Sequence, residues 1–529
     1  MQALNSKEMK RLFTISAVAA MVAVSCTNLD EEIYSQIPKD TFLSDDANVA
    51  LYTSRPYTSL QSWGSEQSML TLIFQLSNET AIPRAFNGSW AEARYSELQR
   101  HSIPAGNKLV RCGWDFCFDG IAACNDAIYE LQRVKEQTET VLKSAAEIKV
   151  LRAYYYLLAV DCWGNVPFSI DKAQTGYPEQ KDRKFMLKFI EDEIKENIDL
   201  LDENVSSVTY GRVTKGVAQF LLAKIYLNSE EWTGVARYDE AEKICSDIMT
   251  GGQYKLASTY AANFAINNEN GPEAILAIPH SSVYTNYAFY IYVMTFNDDL
   301  QKAFNIGDTW NGSLMAQPDF FDSYEPGDTR KSDTWLFGQV YNPDGTKYQY
   351  KEVVVDASGS QSTVFKDYVL SGSPIDESKY VNGIGRFEGA RIIKWPYQTD
   401  GTLNSYRISM ENDFYLMRYS DVVLMYVEAL VRQGRAADAA AVPEFVKIRE
   451  RAGLSAMSAS ELTLDNLLLE RQHELALEGW SRQDLIRFGK YTKAWWAKPE
   501  GEDYMKLLPI PDLRMGDNPN LVQNNGYKK

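Results

Sequence analysis

Histidine is almost missing from this chain: three residues in 529, His101, His280 and His473, far apart in sequence. A His-rich metal centre, or a reaction with several imidazole steps, has too few side chains to build from. Cysteine is scarce as well, with six residues and no C-x-x-C pair. Beyond Cys26 an odd five remain, Cys112, Cys117, Cys124, Cys162 and Cys245. Buried thiols are the reading for these, with one disulfide left open. Positive charge is in deficit: Lys and Arg total 54 against 71 Asp and Glu, a net charge of −17. Such a chain is a poor phosphate binder, which argues against a nucleic-acid partner. No G-x-S-x-G nucleophile turn and no G-x-x-x-x-G-K-[ST] phosphate loop occurs. Beyond the N-terminus no run approaches 18 consecutive apolar residues.

What is present is ordinary globular composition, 45% apolar and 24% charged, with an excess of aromatics at 12%. Those rings belong either in cores or on a surface that stacks on something flat and uncharged. The N-terminus reads as an address. Lys7, Lys10 and Arg11 precede an apolar run from Leu12 to Val24, too short for a comfortable membrane span. The run ends in Ala23-Val24-Ser25-Cys26, which resembles the lipobox cut by bacterial lipoprotein signal peptidase. That resemblance makes 1–25 a signal peptide and Cys26 an acylated first residue, tethered to outer-membrane lipid. Removing 1–25 takes away Lys7, Lys10, Arg11 and Glu8, so the mature charge is −17 − 2 = −19 over 504 residues. The following Thr27-Asn28-Leu29-Asp30-Glu31-Glu32 resembles the acidic signal that sends some lipoproteins of the Bacteroidota to the cell surface. Residues 26–45 are expected to be a tether.

From 46 to 529 a single, mainly α domain is expected. Apolar spacing predicts helices over about 46–63, 112–137, 143–161, 184–201, 214–228, 238–250, 418–433, 441–452, 461–478 and 482–489. In the second of the long ones Ala146, Val150, Tyr154, Leu157 and Leu158 would line one face, and Gly164 would stop it. Two stretches repeat a helix–break–helix layout: Gly216 to Met249, with Ala218, Ala223 and Ala241 at close approaches, and Asp421 to Arg451, with Ala429, Gly434 and Ala441. Units of roughly 34 residues with small contact residues suggest tetratricopeptide-like stacking, since each pair exposes an apolar face its neighbour must cover. These pairs are placed at about 46–250 and 411–490. The remainder, about 66–108 and 252–410, is irregular, rich in Gly, Asn, Asp, Ser and Pro, with β-like runs at Ala274–Ile278 and Glu352–Val355.

Five stretches together resemble the SusD/RagB family of outer-membrane lipoproteins. They are Ala146 to Tyr156 with Trp163-Gly164-Asn165-Val166-Pro167-Phe168; Gly211 to Lys215 leading into Leu221 to Leu227; Arg418 to Ala429; Glu470-Arg471 through Gly479 with Arg482, Asp484-Leu485 and Arg487-Phe488-Gly489; and Pro509-Ile510-Pro511 with Asn518-Pro519-Asn520, Gln523-Asn524 and Gly526-Tyr527. Read as residues, Arg152, Arg418, Arg482, Asp421 and Asp484 are expected to form buried ion pairs, with Asp484 and Arg487 meeting at i,i+3. Trp163 is expected in the core. The resemblance implies tetratricopeptide-like units in a right-handed superhelix scaffolding a loop-rich half. It also implies oligosaccharide or polysaccharide binding at the cell surface, a SusC-like TonB-dependent transporter as partner, and no enzymatic activity or cofactor. Relatives that bind peptides keep a second ligand class open.

A sugar ring presents an apolar C–H face and a rim of hydroxyls, so its site needs an aromatic plate with Asn, Asp, Arg or Gln around it. Two loop regions fit. One runs Arg84-Ala85-Phe86-Asn87-Gly88-Ser89-Trp90; the other holds Tyr284, Asn286 and Tyr287, then Trp310 and Asn311. By motif order, two aromatic plates of the starch-binding relative line up with Asn286-Tyr287 and Trp310, and Trp90 is near the third, shifted by a gap. Trp335 and Trp395 are lesser candidates, and Trp495-Trp496 is read as packing near the C-terminus or against the partner. A surface glycoside hydrolase is the weaker alternative. It would need two carboxylates roughly 5–9.5 Å apart, and pairs such as Glu269/Glu273 or Asp298/Asp299 are too abundant to signal one.

Overall fold

The computed structural model describes residues 42–63, 73–74, 76–78, 80–83, 93–203, 205–281, 295–306, 314–373, 385, 387–397 and 410–528. The frame is helical. Its helices are α1 (Asp46–Thr53), α2 (Arg55–Gln61), α3 (Lys108–Arg133), α4 (Glu139–Trp163), α5 (Arg183–Asn197), α6 (Lys215–Thr233), α7 (Tyr238–Thr250), α8 (Tyr419–Arg432), α9 (Pro443–Arg451), α10 (Leu464–Glu474) and α11 (Ser481–Arg487). Neighbours in sequence are neighbours in space: α3 packs on α4, α4 on α5, α6 on α7, and α7 on α8 across the long insertion. Five of these starts carry side-chain caps that satisfy free N–H groups. Asn107 Oδ1 accepts from Leu109 N at 2.9 Å, and Asp182 Oδ1 from Phe185 N at 2.9 Å. Gly164 ends α4 at φ 72°, a conformation a side chain resists.

Four expectations need correction. The helix expected over 46–63 is two helices, because Pro56 in the first turn of α2 has no N–H to continue α1. The helix expected over 461–478 stops at Glu474; Leu477 at φ 66° and Gly479 at φ 96° turn the chain away. The helix α4 is not one-faced: every residue from Val150 to Trp163 is buried, because neighbours and the C-terminal tail enclose that half. In the second repeat, Gly434 and Ala441 are not contact residues. Gly434 takes φ 76° with open space around it, Ala441 is exposed, and Ala439 fills the close approach. In the first repeat Ala218, Ala223 and Ala241 are buried as expected.

The insertion is built on short antiparallel strand pairs. Among the described residues, β1 (Ala81–Pro83) pairs with β3 (Leu314–Ala316), and β2 (Ala274–Ile278) with β6 (Phe414–Arg418). The strands β4 (Gln349–Val355) and β5 (Gln361–Asp367) form an exposed hairpin. Pairing of β2 with β6 delivers Glu273 to the start of α8, where Tyr419 N donates to Glu273 O at 2.9 Å. Trp163 is fully buried, and its Nε1 donates to Pro509 O at 3.1 Å. Cys112, Cys117, Cys124, Cys162 and Cys245 are free thiols, so the disulfide left open does not form among them; all but half-buried Cys112 are buried.

Candidate functional site

The family-hallmark charges lie in the core. One group gathers where β2, β6, α9 and α10 meet. Arg418 contacts Glu273 at 3.1 Å, Glu474 at 2.8 Å and Glu478 at 2.6 Å. Arg451 contacts Glu273 and Glu474, each at 2.5 Å. Arg330 contacts Asp328 at 2.8 Å and Glu470 at 2.7 Å, and Arg449 contacts Glu470 at 2.5 Å. With Lys394 on Glu478 at 2.6 Å, the group holds five cations and five carboxylates. That balance is what lets charges leave water. Burial pushes the Glu273 carboxyl up, but Arg451 and Arg418 outweigh it and bring it down to about 2. Burial dominates at Lys394 and lowers its ammonium to about 8, despite Glu478. A second group joins α6, α8, α10 and α11. Lys224 meets Asp421 at 2.7 Å, Arg471 meets Asp421 and Asp484, each at 2.9 Å, and Arg487 meets Asp484 at 2.6 Å and Glu428 at 2.7 Å. Arg152 pairs with Glu193, and Arg482 with Asp161 at 3.3 Å. These side chains are consumed in holding helices and strands together.

The ionic core reaches the strand-paired insertion through Lys394. Its Nζ also donates to Ala476 O at 2.6 Å, tying the segment 387–397 to the frame. That segment carries the edge of the candidate site: Ala316 N donates to Ala390 O at 3.0 Å, and Ile392 N to Thr295 Oγ1 at 3.0 Å. Thr295 Oγ1 in turn donates to Leu314 O at 3.0 Å, and Leu314 pairs with Pro83 in the β1–β3 register. Pro83, Thr295 and Leu314 border the segments 84–92, 282–294 and 307–313. The two loop regions nominated from sequence thus border, in sequence, residues that meet at one foot. Phe296, Phe304 and Tyr397 brace it, with ring centroids 4.9–5.5 Å apart. Behind it, Trp496 packs on Ile82 and Met315.

Arg84, Asn87, Trp90, Tyr284, Asn286, Tyr287, Trp310 and Asn311 themselves lie outside the described residues, as does Cys26. Both lesser candidates are corrected to core. Trp395 is 1% exposed and stacks on Phe414 at 5.4 Å; Trp335 is 1% exposed with its Nε1 on Tyr324 OH. Spacing does not separate a loop aromatic that packs inward from one that packs outward. The bracing trio escaped sequence reading because its members are scattered over 101 positions, and only strand pairing and loop closure bring them together. Of the carboxylate pairs considered for hydrolysis, Glu273 is fully buried and held by two arginines while Glu269 is exposed. Asp298 and Asp299 are adjacent at a helix start, one exposed and one buried. Among the described residues no group of His, Cys, Asp and Glu is arranged to hold a metal ion.

A helical frame with a charge-locked seam, joined to a braced foot of short strands, defines a mainly α scaffold. The chain belongs to the SusD family: that family's model matches residues 251–527, 277 of the 529. A second model, described as "Starch-binding associating with outer membrane", matches residues 28–227. The chain is 28% identical over 419 residues to the starch-binding protein SusD of Bacteroides thetaiotaomicron, covering 73% of each chain. It is 23% identical over 514 residues to a SusD-like protein of Bacteroides ovatus, covering 91% of this chain and 83% of that one. Among solved structures it resembles a laminarin-binding SusD-like protein, with a TM-score of 0.70, 22% identity, and coverage of 91% of this chain and 99% of that one. It resembles equally a surface glycan-binding protein A of B. thetaiotaomicron in complex with laminarihexaose (TM-score 0.70, 21% identity, 91% and 99% covered).

Proposed function

We propose that this chain is a surface-exposed lipoprotein, anchored in the outer membrane through acylated Cys26, that binds oligosaccharide and delivers it to a SusC-like TonB-dependent transporter. The observation that carries the reading is that Pro83, Thr295 and Leu314 adjoin, while the stretches next to them in sequence, 84–92, 282–294 and 307–313, each hold aromatic and amide residues. Trp310, Tyr287 and Trp90 supply plates for sugar C–H faces; Arg84, Asn87, Tyr284, Asn286 and Asn311 read hydroxyls. Binding, not bond cleavage, is the proposed activity, which fits the capture of Glu273 in ion pairs. The names of the relatives, which bind starch, laminarin and surface glycans, support a carbohydrate ligand.

Calorimetric titration of the soluble domain with a panel of neutral oligosaccharides is the test. A Kd of about 10 µM to 1 mM is expected, since an open sugar site loses much of its gain to ordering. Trp310→Ala should abolish or strongly weaken that binding while the melting temperature stays near wild type. Failure to bind any glycan, with tight binding of peptides instead, would overturn the carbohydrate reading; released hydrolysis products would point to an enzyme.

A further inference from the structure

A cleft of about 520 Å³ opens elsewhere, where the ends of α4 and α6 and the start of α5 meet the C-terminal tail. Its volume falls in the range of small-molecule sites, roughly 300–1,000 Å³. It shares no lining residue with the foot at Pro83, Thr295 and Leu314. Asp161, Arg183, Glu231, Tyr504, Lys506 and Asn525 are the side chains that give it chemistry.

Its walls are fixed. Gln523 holds Ile510 on both sides, accepting from its N–H and donating to its carbonyl at 2.8 Å each. Asn524 Nδ2 donates to Trp163 O at 2.9 Å and Leu508 O at 2.8 Å. The Gln523-Asn524 motif thus staples the tail to the end of α4 and keeps the cleft open without a ligand.

Its charges are matched in advance. Lys506 Nζ sits 2.9 Å from both Glu231 and Asp503, and Arg482 behind the wall sits 3.3 Å from Asp161. Arg183 and Lys506 line the cleft with Asp161, Glu231 and Asp503, and buried Arg482 paired behind Asp161 makes three cations for three carboxylates, so an ion entering the cleft meets no net charge to pair with. Hydrogen-bonding capacity of both kinds remains. Each carboxylate keeps lone pairs after one cation, and Arg183 spends Nη2 on Val160 O at 3.1 Å, which leaves its Nη1 to donate. A hydroxyl group can donate to the first and accept from the second. Half-buried Tyr504 adds ring surface.

We infer that this cleft is a second binding site, for one or two rings of a neutral, polyhydroxylated sugar. It shares with the proposed function only the class of ligand, and the test separates the two. The probes are D-glucose, D-galactose, D-xylose and maltose, with D-galacturonate as the charged comparison, read by saturation-transfer NMR on the full soluble chain. The background is Trp90→Ala/Tyr287→Ala/Trp310→Ala, which removes the three proposed loop plates. At least one neutral probe should still receive saturation in that background. Asn525→Trp, at an exposed lining position, should abolish it, and Glu231→Gln should weaken it about fivefold or more, the loss of a charged acceptor. The inference is overturned if the loop background gives no transfer to any neutral sugar, if transfer survives Asn525→Trp, or if galacturonate binds more tightly than every neutral probe. In each of those cases, loop-dependent binding by the wild type still stands or falls on the calorimetric titration.

Discussion

Glu273→Gln is the substitution that most directly tests whether the buried charges are a frame or a reacting group. Glu273 accepts from Arg451 Nη1 at 2.5 Å, Arg418 Nη1 at 3.1 Å, Asn263 Nδ2 at 2.9 Å and Ala257 N at 3.0 Å, with no solvent exposure. Glutamine keeps the shape but removes the charge, leaving Arg418 and Arg451 facing Glu474 and Glu478 alone. Removing one partner of a buried ion pair costs about 3–5 kcal/mol. The carboxyl's descent from 4.5 to about 2 in the fold gives about 3 kcal/mol by an independent route. For a chain of this length the entropy of unfolding is about 1 kcal/mol per kelvin, so the melting temperature should fall by about 3–5 °C at pH 7. The acid dependence carries the same sign. The folded carboxyl titrates below the unfolded one, so its stabilisation is complete above about pH 4.5 and is lost as pH falls toward 2. Differential scanning calorimetry from pH 7 to 3 should therefore show a smaller gap between variant and wild type at the acid end. Arg451→Met combined with Glu273→Gln should be less than additive, because the two remove one interaction. A variant that melts at the wild-type temperature would refute the frame reading.

Three other outcomes follow from particular contacts. A methyl group at Gly120 would stand 2.5 Å from the Tyr155 ring, so Gly120→Ala should destabilise by about 1–3 kcal/mol, read by urea unfolding. Cys26→Ala should release the protein from the membrane fraction; continued retention would contradict a single lipid anchor. The Asp413 carboxyl, raised to about 6 mainly by burial, binds its proton more readily folded than unfolded. Its contribution to stability should therefore decline as pH rises from about 4 to 6, and Asp413→Asn should flatten that part of the melting profile.

Much of the frame was legible because it obeys local rules. Helix periodicity, the Gly164 stop and the i,i+3 spacing of Asp484 and Arg487 each state their own geometry, and the last pair meets at 2.6 Å. Burial of the hallmark arginines was legible too, from charges set into apolar stretches. What was not legible is convergence. Nothing in the sequence near Pro83, Thr295 or Leu314 announces that they adjoin; that follows from a three-residue strand pair and one threonine hydroxyl. Nor does a tryptophan among polar neighbours reveal its direction, which is why Trp395 passed for a candidate and lies instead against Phe414.

The same contrast sets the stiff frame apart from the proposed binding positions. The balanced ionic core accepts neither a charge change nor a shape change cheaply, since its central members Arg418, Arg451, Glu273 and Glu474 are each held by two or more others. Lys394 transmits that rigidity to 387–397, and through Ile392 and Thr295 to the foot. Arg418 and Glu474 at the centre of the ionic core cannot be exchanged cheaply, whereas the proposed plates Trp90, Tyr287 and Trp310 are the positions at which substitution should alter ligand choice.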